Sequence, residues 1–279
     1  MKSILVPVDF SKDSINALDH AISIANKLKA TIRIIHVRKD KNYDDPFIIK
    51  GKEREYGKTV EEFMHEIIQE YKPKYKGGGG FDYSIKVGKI YKAITDRAEE
   101  DHSFLIVMGT HGVSGFEETW LGSNAYRVVC KAPCPVLTVR SGFKQRTIKK
   151  IVVPIDAHRE TRKKVPFAAE IAAAFGAEVH IVAVRTTNRK DIIQRLKKYV
   201  DQSAEYLEKK RVKVVKDEVY GSNIADLTYS YGVHIGAQII SIVSNERGTP
   251  INMPISTTAQ QMVNHSPIPV LSMHPTYVK

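Results

Sequence analysis

The chain has 279 residues, 42% hydrophobic and 27% charged, with a net charge of +12, which suits a globular protein of one large domain or two ordinary ones. No apolar run approaches the roughly 20 residues that span a bilayer, and the opening Met1-Lys2-Ser3-Ile4-Leu5-Val6-Pro7 is too short for a secretory leader. Two cysteines, Cys130 and Cys134, exclude a disulfide framework, so a reducing, cytoplasmic location is expected and no membrane association.

Residues 3–8 form a β-branched apolar run closed by Pro7-Val8-Asp9, and read as a strand. Ser11 is placed to cap a helix whose apolar positions Ile15, Leu18, Ile22, Ala25 and Leu28 recur every three or four residues. Strands are then expected at 31–37, 81–87, 104–108 and 135–140, and helices at 60–71, 90–100 and 122–131. In the helix at 60–71, Phe63, Ile67 and Ile68 should face inward. Nearly all-apolar strands alternating with helices indicate a parallel sheet covered on both faces. Ligands of such sheets bind beyond the carboxyl ends of the strands, where the winding reverses.

The pattern occurs twice. Ile4-Leu5-Val6-Pro7-Val8-Asp9 returns as Ile151-Val152-Val153-Pro154-Ile155-Asp156, an offset of 147 (151 − 4). At that offset Ala21, Ile24, Ala25 and Leu28 meet Ala168, Ile171, Ala172 and Phe175. The closing Pro133-Cys134-Pro135-Val136-Leu137-Thr138 matches Pro267-Ile268-Pro269-Val270-Leu271-Ser272 at an offset of 134 (267 − 133), so the second copy is shorter. Two tandem domains of one fold follow, at 1–141 and 149–279, with a linker at 142–148.

One glycine spacing carries the functional reading. After the apolar run at 104–108 come Gly109-Thr110-His111-Gly112, nine residues, then Gly122-Ser123 at a helix start. A helix start presents unpaired N–H groups and the positive end of the dipole, which suit phosphate oxygens. Glycines let the backbone approach a ligand or adopt positive φ. A carboxylate beside a polyphosphate is unfavourable, so Asp9 suits the nucleoside end, or a bridging metal. Its other role is to close the strand-end turn or cap a helix, just as Ser123 could be a plain cap. His111 could donate to phosphate or face solvent.

The Val-Pro-Val-Asp strand end, the Gly-x2-Gly-x9-Gly-Ser spacing and the closing Pro-Cys-Pro-Val-Leu resemble the universal stress protein family, and the whole chain resembles its tandem two-domain members. The resemblance implies an α/β fold with a five-stranded parallel sheet in each domain, order 3-2-1-4-5, and ATP, or ADP or AMP, with or without magnesium, where the motif is kept. Carried over residue by residue, Asp9 and the backbone of Pro7 and Val8 would hold the ribose and the adenine edge. Val37 would meet adenine, and Met108 and Gly109 would line the site. Gly112 would lie under the phosphates, beside His111, and Gly122, Ser123 and Asn124 would receive them. Family domains pair through their last strands. Here the two copies are expected to pair within the chain, with a homodimer of the tandem chain as a further option.

The second copy departs from this pattern. Gly122 and Ser123 fall on Ser256 and Thr257, Gly109 near Ser244 and Gly112 near Arg247. Glu246 adds negative charge, and Pro250 and Pro254 stiffen the loop. This half is expected not to bind ATP in the family manner, although Asp156 keeps its place and leaves room for another small ligand.

Other signals are weaker. Gly77-Gly78-Gly79-Gly80 precedes a strand, not a helix, and reads as a flexible connector. Cys130 and Cys134 are too weak a pair to assign to metal or redox work. The polar segment 38–56, with its apolar island at 46–49, could cross the pocket or reach a partner. No catalytic residue and no metal ligand is assigned. The leading expectation is an ATP-binding stress-response protein, a sensor or switch with nucleotide in the first domain only and an unnamed protein partner. Nucleotide would order the loop between Thr110 and Leu121. A slow ATP-hydrolysing or adenylating enzyme is the alternative, but neither Ser-Gly-Gly-x-Asp-Ser nor His-x-Gly-His is present. A basic nucleic-acid-associated protein is the second alternative. Against it, lysines interleave with glutamates, as in Lys52-Glu53-Arg54-Glu55, and read as solvated faces.

Overall fold

A computed structural model describes residues 1–38, 59–110, 122–244, 257–275 and 277. The chain divides into two units, Met1–Lys144 and Gln145–Lys279.

The first unit runs β1 (Ser3–Pro7), α1 (Lys12–Leu28), β2 (Thr31–Arg38), α2 (Val60–Tyr71), β3 (Phe81–Val87), α3 (Ile90–Glu100), β4 (Leu105–Gly109), α4 (Ser123–Lys131) and β5 (Val136–Val139). Its strands are parallel and ordered β3-β2-β1-β4-β5. The winding reverses at β1, which pairs with β2 on one side and β4 on the other. In β1, Ser3 to Val6 are all buried, as expected of a strand covered on both faces. Helix α1 packs on β4 and β1, while α3 packs against α4.

Local chemistry explains the helix starts. Ser11 caps α1 by accepting from the Ser14 amide at 3.2 Å. Thr59 and Glu62 form a reciprocal capping box on α2, whose Phe63, Met64 and Ile67 are buried. The Gly77–Gly80 segment corrects the flexible-connector reading. Tyr75 Oη donates to Ala30 O at 2.6 Å and accepts from the Gly79 amide at 2.9 Å. Gly77 is buried, with no room for a Cβ against the Tyr75 ring and Ala30 O. The glycines there allow close packing onto the start of β2.

The second unit repeats the plan with β6 (Lys150–Ile155), α5 (Val165–Phe175), β7 (Glu178–Arg185), α6 (Lys190–Lys209), β8 (Val214–Tyr220), α7 (Ile224–His234), β9 (Ile239–Val243), α8 (Thr257–His265) and β10 (Val270–Met273). Its parallel order is β10-β9-β6-β7-β8, the same 3-2-1-4-5 winding. One departure matters. Where α1 starts directly after its cap, the second unit has a 3-10 turn, Arg159–Lys164, before α5 begins at Val165.

Candidate functional site

In the first unit, the expected ligand residues that the structure describes sit at the carboxyl ends of β1, β2 and β4 and at the start of α4. β1 ends at Pro7, and the Val8 amide donates to Ile35 O at 2.9 Å. Val8 O lies 2.7 Å from His36 Nδ1. A carbonyl only accepts, so that nitrogen carries the proton. The His36 ring packs on Phe10 at 4.9 Å, and Phe10 packs on Phe63 at 5.5 Å. Phe10 holds φ at 64°, a left-handed backbone that a bulky residue adopts only when its surroundings impose it. The turn carrying Asp9 is therefore fixed from below by aromatic packing.

Asp9 itself is built into the cap. Its Oδ1 accepts from Ser11 Oγ at 2.6 Å and from the Ser11 amide at 3.1 Å, and its amide donates to Ser14 Oγ at 3.3 Å. The turn-closing role weighed for Asp9 is thus observed at a strand end facing the site. Val37 lies one residue before the end of β2, which continues to Arg38.

The glycines behave differently from the expectation. Gly109 closes β4, and a Cβ there would lie 2.8 Å from the backbone carbon of Asp13 and 3.0 Å from its carbonyl oxygen. Close approach of α1 to β4, rather than positive φ, requires glycine at this position. Gly122 has φ −54° and ψ 142°, which any residue adopts, and it serves as the N-cap of α4. Ser123 is therefore the first helical residue and not the cap. No side chain caps α4, and no acidic residue lies in its first turn. Among the described residues no side chain therefore complements the first-turn amides or the dipole of α4.

Two residues that the sequence reading passed over organise this corner. Asp13, buried in the first turn of α1, accepts from Thr110 Oγ1 at 3.2 Å. Thr110 O accepts from the Gly122 amide at 2.8 Å, so the end of β4 and the start of α4 are tied together. Arg140, just past β5, has its guanidinium pushed down by burial and held up by the Asp13 carboxylate. An acid in a first helical turn ordinarily reads as dipole complement, so only its position beneath Gly109-Thr110 reveals this use. His111 and Gly112 lie outside the described residues, as do Glu246, Arg247, Pro250, Pro254 and Ser256.

The second unit places a small cavity of about 20 Å3 at the carboxyl ends of its strands. Pro154, Asp156, Val184, Ile242 and Val243 contribute from the sheet, and Thr258 from α8. Strand register fixes the correspondence between the two units, one residue short of the Ser244 expected for Gly109 and in line with the offset of 134. Ile4 pairs with Leu105 and Ile151 with Ile239, so Gly109 corresponds to Val243 and Thr110 to Ser244. A valine side chain now stands where α1 lay against bare glycine, and the 3-10 turn replaces the first turns of the helix. Lys164, almost fully buried, stands where the first unit has Ala17 and lines the cavity. Its Nζ donates to Thr161 Oγ1 at 3.1 Å. Burial pushes the Asp156 carboxyl up, but the His158 hydrogen bond and the Lys164 charge outweigh it and hold it below its usual value. Among the described residues no group of three or more metal-ligating side chains occurs, and no helix is long and apolar enough to cross a membrane.

Both halves match the universal stress protein family, at residues 1–140 and 147–274. Over 150 residues the chain is 34% identical to a universal stress protein of Methanocaldococcus jannaschii, covering 52% of this chain and 85% of that one. The fold is shared with a universal stress protein from Archaeoglobus fulgidus DSM 4304, at TM-score 0.71 and 18% identity, over 98% of each chain. It is shared as well with a functionally unknown protein from Pseudomonas aeruginosa PAO1, at TM-score 0.71 and 17% identity, over 99% of this chain and 93% of that one. Family match, sequence identity and fold converge: the chain belongs to the universal stress protein family.

Proposed function

We propose that this protein is an ATP-binding sensor or switch that takes its nucleotide in the first unit. The observation that carries the reading is the start of α4. Its first turn has neither a capping side chain nor an acid, and it is hydrogen-bonded to the end of β4, at the winding reversal where nucleotides bind sheets of this class. The triphosphate would lie on the amides of Ser123 and Asn124, with Gly122 beneath it, its own amide being held by Thr110 O. The nucleoside would reach back over Met108 and Gly109 towards Pro7, Val8, Asp9 and Val37. Asp9 at that end keeps its carboxylate away from the phosphates, and a ribose hydroxyl is the donor it would meet. In the second unit the glycine facing the sheet's switch point is replaced by Val243 and a buried lysine intrudes, which supports nucleotide binding in the first unit alone.

The test is calorimetric titration of the full chain with ATP, with and without magnesium. One site per chain is expected. Gly122→Asp, which adds a carboxylate at the start of α4 without straining the backbone, should abolish binding while leaving the thermal unfolding profile close to that of the parent. Unchanged ATP affinity in that variant would remove the α4 cradle from consideration.

A further inference from the structure

Three buried side chains of α1, Asp13, Asn16 and His20, follow one another at spacings of three and four and so share one helix face. Two of them hold the chain that leaves β5. Asn16 Nδ2 donates to Arg140 O at 2.8 Å and to Phe143 O at 3.0 Å. His20 Nε2 lies 3.1 Å from the same Phe143 O and therefore carries the proton, and its ring packs on Phe143 at 5.9 Å. Residues 140–144 are thereby strapped along α1. The second unit makes the same contact with other side chains. At the offset of 147, Asn16 and His20 correspond to Lys163 and Phe167 (163 − 16, 167 − 20), and at 134 Phe143 corresponds to Tyr277 (277 − 143). Lys163 Nζ donates to Pro275 O at 2.7 Å, and the rings of Phe167 and Tyr277 have centroids 6.3 Å apart.

The two straps differ in what they connect to. In the first unit Asp13, at the top of the stripe, accepts from Thr110 Oγ1 at 3.2 Å, and Thr110 O in turn holds the Gly122 amide at 2.8 Å. The Asp13 carboxylate also favours the charged form of Arg140, the first residue of the strap. In the second unit Ser244, at the position of Thr110, donates its hydroxyl to Met273 O at 3.3 Å, on the last strand. Contacts therefore run in the first unit from the start of α4 to the strap through Thr110 and Asp13, both buried. Close-packed groups of this kind transmit a displacement instead of absorbing it. We propose that Asp13 is a positioning residue of the nucleotide site, and that it couples occupancy of the α4 start to docking of residues 140–144 on α1. The inference rests on nucleotide binding by the first unit. Coupling is reciprocal, so a nucleotide that fixes Thr110 and Gly122 holds the strap down. The strap is the path of the chain out of the first unit, which makes its docking a readout of the bound state.

The experiment reads hydrogen exchange at residues 141–144 of the full chain, with and without saturating ATP, beside the calorimetric ATP affinity. The Phe143 amide, which donates to Arg140 O at 3.1 Å, reports the first strap. The Tyr277 amide, which donates to His274 O at 3.0 Å, is the internal control. ATP should slow exchange of the first strap about fivefold or more and leave the second unchanged. Thr110→Val removes the hydroxyl but keeps the carbonyl that holds Gly122, so it should bind ATP at saturation without protecting the strap. Asp13→Ala should abolish the protection and weaken ATP binding about fivefold or more. Asp13→Asn, which keeps an oxygen for Thr110, should recover part of both. A merely structural acid would lower stability without altering the response to ATP. Should Asp13→Ala fold poorly, Thr110→Val carries the test alone. ATP binding that leaves exchange of the first strap unchanged overturns the inference and leaves nucleotide binding by the first unit standing. So does parent-like protection in Thr110→Val, or Asp13→Ala binding ATP at the parent affinity. No calorimetric binding up to about 10 mM ATP overturns nucleotide binding and this inference with it.

Discussion

Gly109→Ala places a methyl group 2.8 Å from the Asp13 backbone carbon and 2.8 Å from its Cβ. Carbons rest at about 3.5–4.0 Å, so the gap is short by at least about 0.7 Å. The obstacle is helix backbone, which cannot rotate away, so α1 must lift from β4 or the strand must bend. Overpacking of this kind costs about 1–3 kcal/mol. Replacing glycine also restricts the unfolded chain, which offsets about 0.4–1 kcal/mol. The net loss is about 1–2 kcal/mol, or roughly 5- to 30-fold faster amide exchange in α1 and β4 under conditions where exchange reports unfolding of the first unit. Gly122→Ala is the control. At φ −54° the backbone accepts alanine, and loss of a glycine N-cap costs no more than about 1 kcal/mol. Exchange in Gly109→Ala at the parent rate would show that α1 does not bear on β4 as closely as the geometry states.

Other perturbations test other parts of the structure. Ser11→Ala removes the cap of α1 and the partner of Asp9, and should destabilise the first unit by about 0.5–2 kcal/mol in urea unfolding. Glu178 is held down to about 2, chiefly by its hydrogen bond with Lys213 and then by His180. Its stabilising contribution is therefore complete above the ordinary carboxyl value and is lost as pH falls towards 2. Glu178→Gln should flatten the fall of the urea midpoint across that acid window, and an unaltered slope would contradict the assignment. Burial pushes the Cys134 thiol up to about 12, and Cys130 is raised as well but is less buried. Iodoacetamide near pH 8 should thus label Cys130 first, and Cys134 only on unfolding, as mass spectrometry of timed samples would show.

Much of the fold is legible from residue order because parallel strands buried on both faces must be apolar throughout. That signal locates β1, β4 and β5 to within about two residues, and the twofold repeat extends it to the second unit, whereas the edge strand β3 has no buried residue and does not carry it. The helix at 60–71 is recovered in full because Phe63 and Ile67 recur at helical spacing on its buried face; the Thr59–Glu62 capping box at its start is not part of that reading. The site is less legible wherever its reason lies across the fold. Gly109 reads as room for a ligand, yet the space is taken by Asp13 of α1, 96 residues earlier (109 − 13). Ser123 reads as a cap because serine favours that position, but the helix begins one residue earlier than that reading needs, and Gly122 takes the role. Gly77–Gly80 reads as slack chain because its use depends on Tyr75 and Ala30. In the second unit Gly109 reads as falling near Ser244, but the offset of 134 between the last strands carries it onto Val243 (109 + 134), where strand register also puts it.

Hydrogen exchange of the full chain, with and without saturating ATP, addresses the central claim most directly, since it reports where protection appears as well as whether it does. Protection is predicted at the first-turn amides of α4 and around the Pro7–Asp9 strand end, with α8 and the end of β6 unchanged and a stoichiometry of one nucleotide per chain. Protection appearing equally at α8, or none at either helix under millimolar ATP, would contradict nucleotide binding by the first unit alone.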